Sequence, residues 1–323
     1  IEDFAQKWKN LSQNYTALYY NPDQQAWGNS LLEQSAVQFS QVFDWAEIVD
    51  EMRLFKSPNE ITLLQQAGQI TALGHLRAMK QTRPNRLEFE LEGELLYEFN
   101  RFGARFPSFN CIVAGGNNAC ILHYNENDQP LKAGELVLVD AGCEFAYYAG
   151  DITRTYPVNG KFSQAQREIY EIVLAAQKHA INTLVAGATI HQANQEVIRI
   201  KVEGLVRLGI LQGEVENLIQ QEAYKAFYMH GLGHWLGLDV HDVGRYSLEK
   251  DSKLRDRPLE VGMVLTVEPG LYIPETANVP EQYKGIGVRI EDDIVITEYG
   301  NKVLTSAVPK EIDDIERIMA NNA

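Results

Sequence analysis

Apolar positions recur at helical spacing in the stretch "SPNEITLLQQAGQITALGHLRAM", where Ile61, Leu64, Ala67 and Gly68 share one face. Ser57 is a good N-cap, Pro58 suits the first helical position and Glu60 completes a capping box, so a helix is expected to start there. A second helix is expected over about 86–101, stopped by Gly103. Two more should open at capping boxes, Ser163 with Gln166 and Thr189 with Gln192, the first of them ending at Gly187. Between the helices lie runs rich in β-branched and aromatic residues: 134–142, 146–158, 262–273 and 287–300. Residues 1–50 show weak periodicity and an Asn/Gln-rich patch, "NPDQQAWGNSLLEQ". A domain boundary is therefore expected just before Ser57, separating residues 1–53 from 54–323.

Two of the strand runs look alike. "LKAGELVLVDAG", from Leu131, and "LEVGMVLTVEPG", from Leu259, match at Leu, Gly, Val and the last Gly, and Asp140 falls opposite Glu268. Each run is followed by a second strand carrying an acid, Asp151 or Glu291. Chance likeness of two buried strands would account for the apolar positions. It would not account for a carboxylate at the end of each, because a buried unpaired carboxylate is costly. A shared cation resolves both costs, and a duplicated, pseudo-two-fold α+β fold would bring the four acids together.

Composition narrows the function. At 323 residues, 45% hydrophobic and 23% charged, the chain reads as globular protein. A formal charge of −15 argues against a nucleic-acid partner, which would want a basic face. No apolar run approaches the ~20 residues that span a bilayer, no secretory leader is visible, and the expected location is the cytoplasm. Cys111, Cys120 and Cys143 are odd in number and form no CxxC, which suits buried free thiols in a reducing compartment. The chain opens at Ile1 without an initiating Met, so a fragment or processed form is expected.

Candidate chemistry concentrates at "MHGLGHWLGLDVHD", where His230, His234 and His241 crowd into twelve positions. The spacing of His230 and His234 resembles the paired histidines of a helical zinc site, but Gly231 and Gly233 make a poor helix and no Glu stands between. A loop or strand margin is expected, its glycines admitting close approach to a ligand. His75, His179 and His191 fall within helical patterns and read as packing, while His123 fits a loop rim or packing equally. The four acids would neutralise two divalent cations. Oxygen ligands suit Mn²⁺ or Mg²⁺, and one imidazole, best supplied by His234, shifts the balance toward Mn²⁺, Co²⁺ or Zn²⁺. Two such ions can activate a water for hydrolysis. With no GxSxG elbow, Walker A motif or GxGxxG, serine nucleophiles and nucleotide chemistry lack support.

The segments "VDAGCEFAYYAGDITRTYPVNGKFS", "MHGLGHWLGLDVHDVG", "LTVEPGLYIP" and "GVRIEDDIVIT" resemble the Xaa-Pro aminopeptidases (aminopeptidase P) of the pita-bread metallopeptidases, over roughly 54–323. The resemblance implies two Mn²⁺ ions held by Asp140, Asp151, His234, Glu268 and Glu291, with Asp140 shared between both ions. It implies Glu268 as general base, and His123, His230 and His241 around the scissile bond and the proline pocket. Arg289 would orient proton transfer with Tyr272 as its hydrogen-bond partner. The substrates would be peptides with proline second. Residues 1–53 would be the last part of an α/β N-terminal domain that contributes to subunit contacts, so a homo-oligomer is expected and a first segment would be missing. Prolidase shares the chemistry and is the nearest rival. A non-catalytic peptide-binding module or a metal-free hydrolase of the creatinase kind would lack ligands, and all five are present.

Overall fold

The computed structural model describes residues 4–21, 28–30, 39–249 and 252–320. They divide into two units, Ile1–Arg53 and Leu54–Ala323. In the first, helix α1 (Phe4–Ser12) precedes strands β1 (Ala17–Tyr19) and β2 (Gln41–Phe43), which pair in parallel, and α2 (Ala46–Leu54) leads out. The Asn/Gln-rich patch lies mostly outside the described residues.

The larger unit begins with α3 (Pro58–Gln81), and its expected capping box forms in full, with Glu60 N donating to Ser57 Oγ and Ser57 N to Glu60 Oε2. Helix α4 (Glu88–Arg101) packs on α3 and ends beside Gly103, which adopts φ +86. Helices α5 (Gln164–Thr183) and α6 (Ile190–Arg207) form the second antiparallel pair. Ser163 and Gln166 bond reciprocally, whereas at Thr189 the forward half of the box is made, from Gln192 N. Helix α5 stops at Thr183, earlier than expected, and Gly187 serves the following turn at φ +88.

The strand runs are real but broken. Residues 134–142 give β5 (Leu136–Ala141), flanked by β4 (Ile112–Gly115) and β8 (Ile152–Pro157) in an antiparallel sheet. The run expected over 146–158 opens as a turn, with Ala146 and Tyr147 at positive φ, between β6 (Cys143–Phe145) and β7 (Tyr148–Ala149). Strands β6 and β7 share a sheet with β3 (Phe106–Pro107). The later runs split into β9 (Val264–Val267), β10 (Gly270–Ile273), β11 (Ile286–Arg289), β12 (Asp292–Thr297) and β13 (Gly300–Val303). Strand β12 lies between β9 and β13, and β10 pairs with β11. Asp151, Glu268 and Glu291 sit at the breaks, where the chain leaves one ladder before joining the next.

Ladder register locates the two-fold. Asp140 stands opposite Thr153, and continuing the pairing of Val267 with Asp292 sets Glu268 opposite Glu291. With Asp140 matched to Glu268, the counterpart of Glu291 is therefore Thr153, two residues beyond Asp151. Side-chain bonds repeat this relation: Asp151 N donates to Asp293 Oδ2 at 3.1 Å, and Arg289 N donates to Thr155 Oγ1 at 3.2 Å. Residues 151–155 and 289–293 thus run antiparallel about an axis between Thr153 and Glu291, whose Oγ1 and Oε2 lie 2.6 Å apart. Apolar residues of both halves surround this seam, with Val137, Val139, Ile152 and Tyr156 on one side and Leu265, Val267, Ile294 and Trp235 on the other.

Candidate metal centre

The seam floors a cavity of about 620 Å³. Nine of the ten residues expected at the site lie in its wall: His123, Asp140, Asp151, His230, His234, His241, Glu268, Arg289 and Glu291. Tyr272 does not; it is fully buried behind the wall, where its hydroxyl accepts from Arg289 Nη1 at 3.0 Å. His75, His179 and His191 are not among the lining residues. His75 is buried in α3 with Nε2 3.1 Å from Ala141 O, and His179 meets Glu196 at the surface. The three cysteines are free, Cys111 and Cys143 buried and Cys120 half-buried.

The acids are buried and close. Asp151, His234 and Glu291 offer ligand atoms all within 4.8 Å of one another. His234 Nε2 lies 3.4 Å from Asp151 Oδ2 and 3.7 Å from Glu268 Oε1. Its Nδ1 faces the Trp235 carbonyl at 3.0 Å, and a carbonyl can only accept. The proton therefore sits on Nδ1, and the Nε2 lone pair points at carboxylate oxygens. Lone pair against carboxylate lone pair is repulsive, and a cation between them would relieve it. Asp140 Oδ1 and Asp151 Oδ1 are also buried, with no hydrogen-bond partner among the described residues. Oxygens left bare among other acids fit a divalent ion, and this donor set of four carboxylates and one imidazole fits two.

Protonation tells the same story. Burial, then the neighbouring carboxylates, push the Asp151 and Glu291 carboxyls well above their ordinary range. Burial also raises Glu268, although His234 and Arg289 oppose it. A cation would reverse these shifts by stabilising the ionised forms.

Around the acids, each polar group has an assigned direction. Arg289 Nη2 donates to Asp140 Oδ2 at 2.6 Å and its Nε donates to Thr153 Oγ1 at 3.0 Å. A guanidinium accepts nothing, so the Thr153 hydroxyl proton goes to Glu291 Oε2. His230 Nδ1 donates to Gly231 O at 2.8 Å, which leaves Nε2 to accept from the Tyr272 hydroxyl at 2.7 Å. Burial holds His230 down to about 3, so it stays neutral. Both its ring nitrogens are engaged inside the protein, and only its ring carbons are free to meet a ligand. His241 is exposed on the wall, its ring edge-on to His234 at 4.2 Å, with burial and then His234 lowering its pKa.

The stretch 230–242, expected as a loop or strand margin, is irregular and bridged to β9 through Trp235 and Leu265. Gly233 admits a backbone as well as facing the cavity: a Cβ there would run into the Thr266 carbonyl. Sequence reasoning missed Thr153, Thr155, Asp293 and Arg255. The first three lie at two-residue spacing from Asp151 and Glu291, but only the strand register shows that they meet. Arg255 lines the cavity, donates to Gly233 O and lies over the Tyr246 ring at 4.3 Å.

A mixed fold with a cluster of carboxylates and one imidazole at a pseudo-two-fold seam fits a metallopeptidase, and the profile of metallopeptidase family M24 matches residues 62–298; the chain belongs to that family. Its relatives include the Xaa-Pro aminopeptidase of Haemophilus influenzae, 67% identical over 319 residues that make 99% of this chain and 73% of that one. The Xaa-Pro aminopeptidase of Escherichia coli is 59% identical over 278 residues, 86% of this chain and 62% of that one. Among solved structures, zinc-substituted E. coli aminopeptidase P in complex with product superposes with a TM-score of 0.95 at 51% identity, over 100% of this chain and 74% of that one. Proline aminopeptidase P II from Yersinia pestis gives 0.95 at 51% identity, over 99% and 75%. The fold is that of aminopeptidase P, the pita-bread fold expected from the sequence.

Proposed function

We propose that the protein is an Xaa-Pro aminopeptidase, hydrolysing the bond between a first residue and a following proline with two divalent metal ions. The observation that carries this reading is His234 Nε2 facing Asp151, beside the buried oxygens Asp140 Oδ1 and Asp151 Oδ1, which have no hydrogen-bond partner among the described residues. Asp140, Asp151, His234, Glu268 and Glu291 would hold the ions, with Mn²⁺ first and Co²⁺ or Zn²⁺ as alternatives. Bound there, the ions supply an acidified water and a polarised peptide carbonyl. Glu268, its carboxylate beside the ions, would take a proton from the water and pass it to the departing proline nitrogen. His241 and His123 present N–H groups to the substrate, and the His230 ring forms an apolar wall beside the proline. Arg289 fixes Asp140 and, through Tyr272, the orientation of His230.

The parallel β1–β2 pair supports residues 1–53 as the end of an α/β domain, since parallel strands need a crossover. Exposed Tyr19, Val42 and Phe43 in that unit support a homo-oligomer. Free thiols support the cytoplasm, and no described helix is long and apolar enough to cross a membrane.

The test is a panel of Xaa-Pro dipeptide, Xaa-Pro-Xaa tripeptide and a non-proline tripeptide with added Mn²⁺. Tripeptide cleavage confined to proline supports the reading. Cleavage of the dipeptide alone makes the protein a prolidase, and no cleavage by protein carrying two ions would leave a binding module.

A further inference from the structure

The strongest candidate outside the metal site is a carboxylate beneath the wall. Glu88, the first residue of α4, is fully buried and receives four donors. Its Oε1 accepts from Gly115 N at 2.7 Å and Asn118 Nδ2 at 3.1 Å. Its Oε2 accepts from the Tyr124 hydroxyl at 2.7 Å and Gln129 N at 3.0 Å. The Glu88 N–H in turn donates to Gln129 O at 3.0 Å. All four donors, two backbone amides and two side chains, belong to one segment, 115–129, which leaves the end of β4 and returns to the start of α4. That segment carries Leu122, His123 and Asn125 into the cavity wall.

A carboxylate fully removed from water must be satisfied by hydrogen bonds, and four donors aimed at two oxygens do so. The arrangement is directional, because each donor is fixed at a different point around the loop. One turn further along α4, Glu92 Oε2 accepts from Asn127 Nδ2 at 3.0 Å. Asn127 also bonds back to β4 through Cys111 O at 2.8 Å and Val113 N at 2.9 Å. The buried edge of α4 thus acts as a clasp on a loop that has little regular structure of its own, a short 3-10 turn at Gly116–Cys120. His123 itself is exposed, and its neighbour Tyr124 is one of the clasped groups. A ring on an exposed loop tip reaches the reacting bond reproducibly only if the loop is held.

We propose that Glu88 is a positioning residue for His123: by gathering 115–129 onto α4 it sets where that imidazole meets the substrate. This rests on the role given to His123 above. Glu88 touches neither metal ligands nor substrate, and acts through the loop.

The experiment is a double-mutant cycle in the metal-loaded enzyme with E88Q, H123A and E88Q/H123A, read as kcat/KM for an Xaa-Pro-Xaa peptide and as Mn²⁺ binding by calorimetry. Glutamine keeps the shape but turns an amide N–H₂ toward two donors. A misplacement near 1 Å can cost on the order of a hundredfold, so E88Q should lose roughly 10- to 100-fold in kcat/KM. Metal binding should be unchanged. In the H123A background the same substitution should have little further effect, because the group it positions is gone. Should E88Q fail to fold, Y124F removes a single donor and enters the same cycle with a smaller loss. Equal losses with and without His123 would overturn the proposal, since a merely structural carboxylate behaves that way. Wild-type activity in H123A alone would instead remove the role of His123, and the proposal with it.

Discussion

Thr153→Val tests the seam directly. Valine matches threonine in shape, so the substitution removes one hydroxyl and leaves packing intact. That hydroxyl donates to Glu291 Oε2 at 2.6 Å and accepts from Arg289 Nε at 3.0 Å. Its loss leaves a buried guanidinium N–H without that acceptor, worth about 1–3 kcal/mol of stability. It also frees the Glu291 carboxylate to rotate. Groups that orient metal-binding side chains typically carry about 10- to 100-fold in metal affinity, or roughly 1.4–2.8 kcal/mol. Calorimetric titration of chelator-treated T153V with Mn²⁺ should show at least one site weakened by that factor, with kcat falling in step. Thr153→Ser restores the hydroxyl and should recover affinity to within a few-fold. A folded T153V that binds both ions with wild-type affinity would refute the claim that this hydroxyl orients Glu291.

His241→Ala should lower kcat by about 10²–10³, as loss of one transition-state donor typically does, with KM little changed and both metals bound; His234→Ala should lose metal, and analysis of metal content beside kinetics separates the two. Asp292 is buried between Arg154 at 2.7 Å and Lys310 at 2.6 Å. Burial pushes its carboxyl up, and the Arg154 and Lys310 cations more than reverse this, so it titrates below its ordinary value. Asp292→Asn should cost about 3–5 kcal/mol at pH 7. A depressed carboxylate contributes stability above its unfolded pKa, about 3.9, and loses it as pH falls through the folded value. Melting curves of wild type and D292N should therefore converge in acid below about pH 4. Lys201 is fully buried, its Nζ over the Tyr228 ring and without a hydrogen-bond partner among the described residues, and burial drives its pKa well down. Lys201→Met should raise stability by about 1 kcal/mol or more at pH 7. The gain should shrink above pH ~10, where the unfolded lysine is also neutral; a lower melting temperature for K201M would show that the ammonium is stabilised by the ring.

Some of this architecture was legible from residue order alone. Helix starts were, because Ser57 with Glu60 and Ser163 with Gln166 act over three residues and need no tertiary partner. The acids were, because a carboxylate closing an apolar run conflicts with burial. The breaks in the strands were not, since the apolar residues on either side of Asp151 and Glu291 read as single runs and only the pairing partners show where each ladder ends. Thr153 looked like any strand threonine, and its match with Glu291 depends on register, which is set by long-range pairing. Nothing in its own helix marks Glu88, because the segment that satisfies it begins 27 residues away.

The axis between Thr153 and Glu291 has a meaning for descent. In a dimer of two identical chains, a residue on the two-fold meets its own copy. At the position of Arg154 and Asp292 that would set arginine against arginine or aspartate against aspartate, like charges in a buried place. One chain carrying both halves escapes the constraint. It can face Arg154 with Asp292, and a hydroxyl donor with a carboxylate acceptor, because the two sides mutate separately. The symmetry supplies a cradle shaped from both sides, and the fusion lets its centre become complementary to itself.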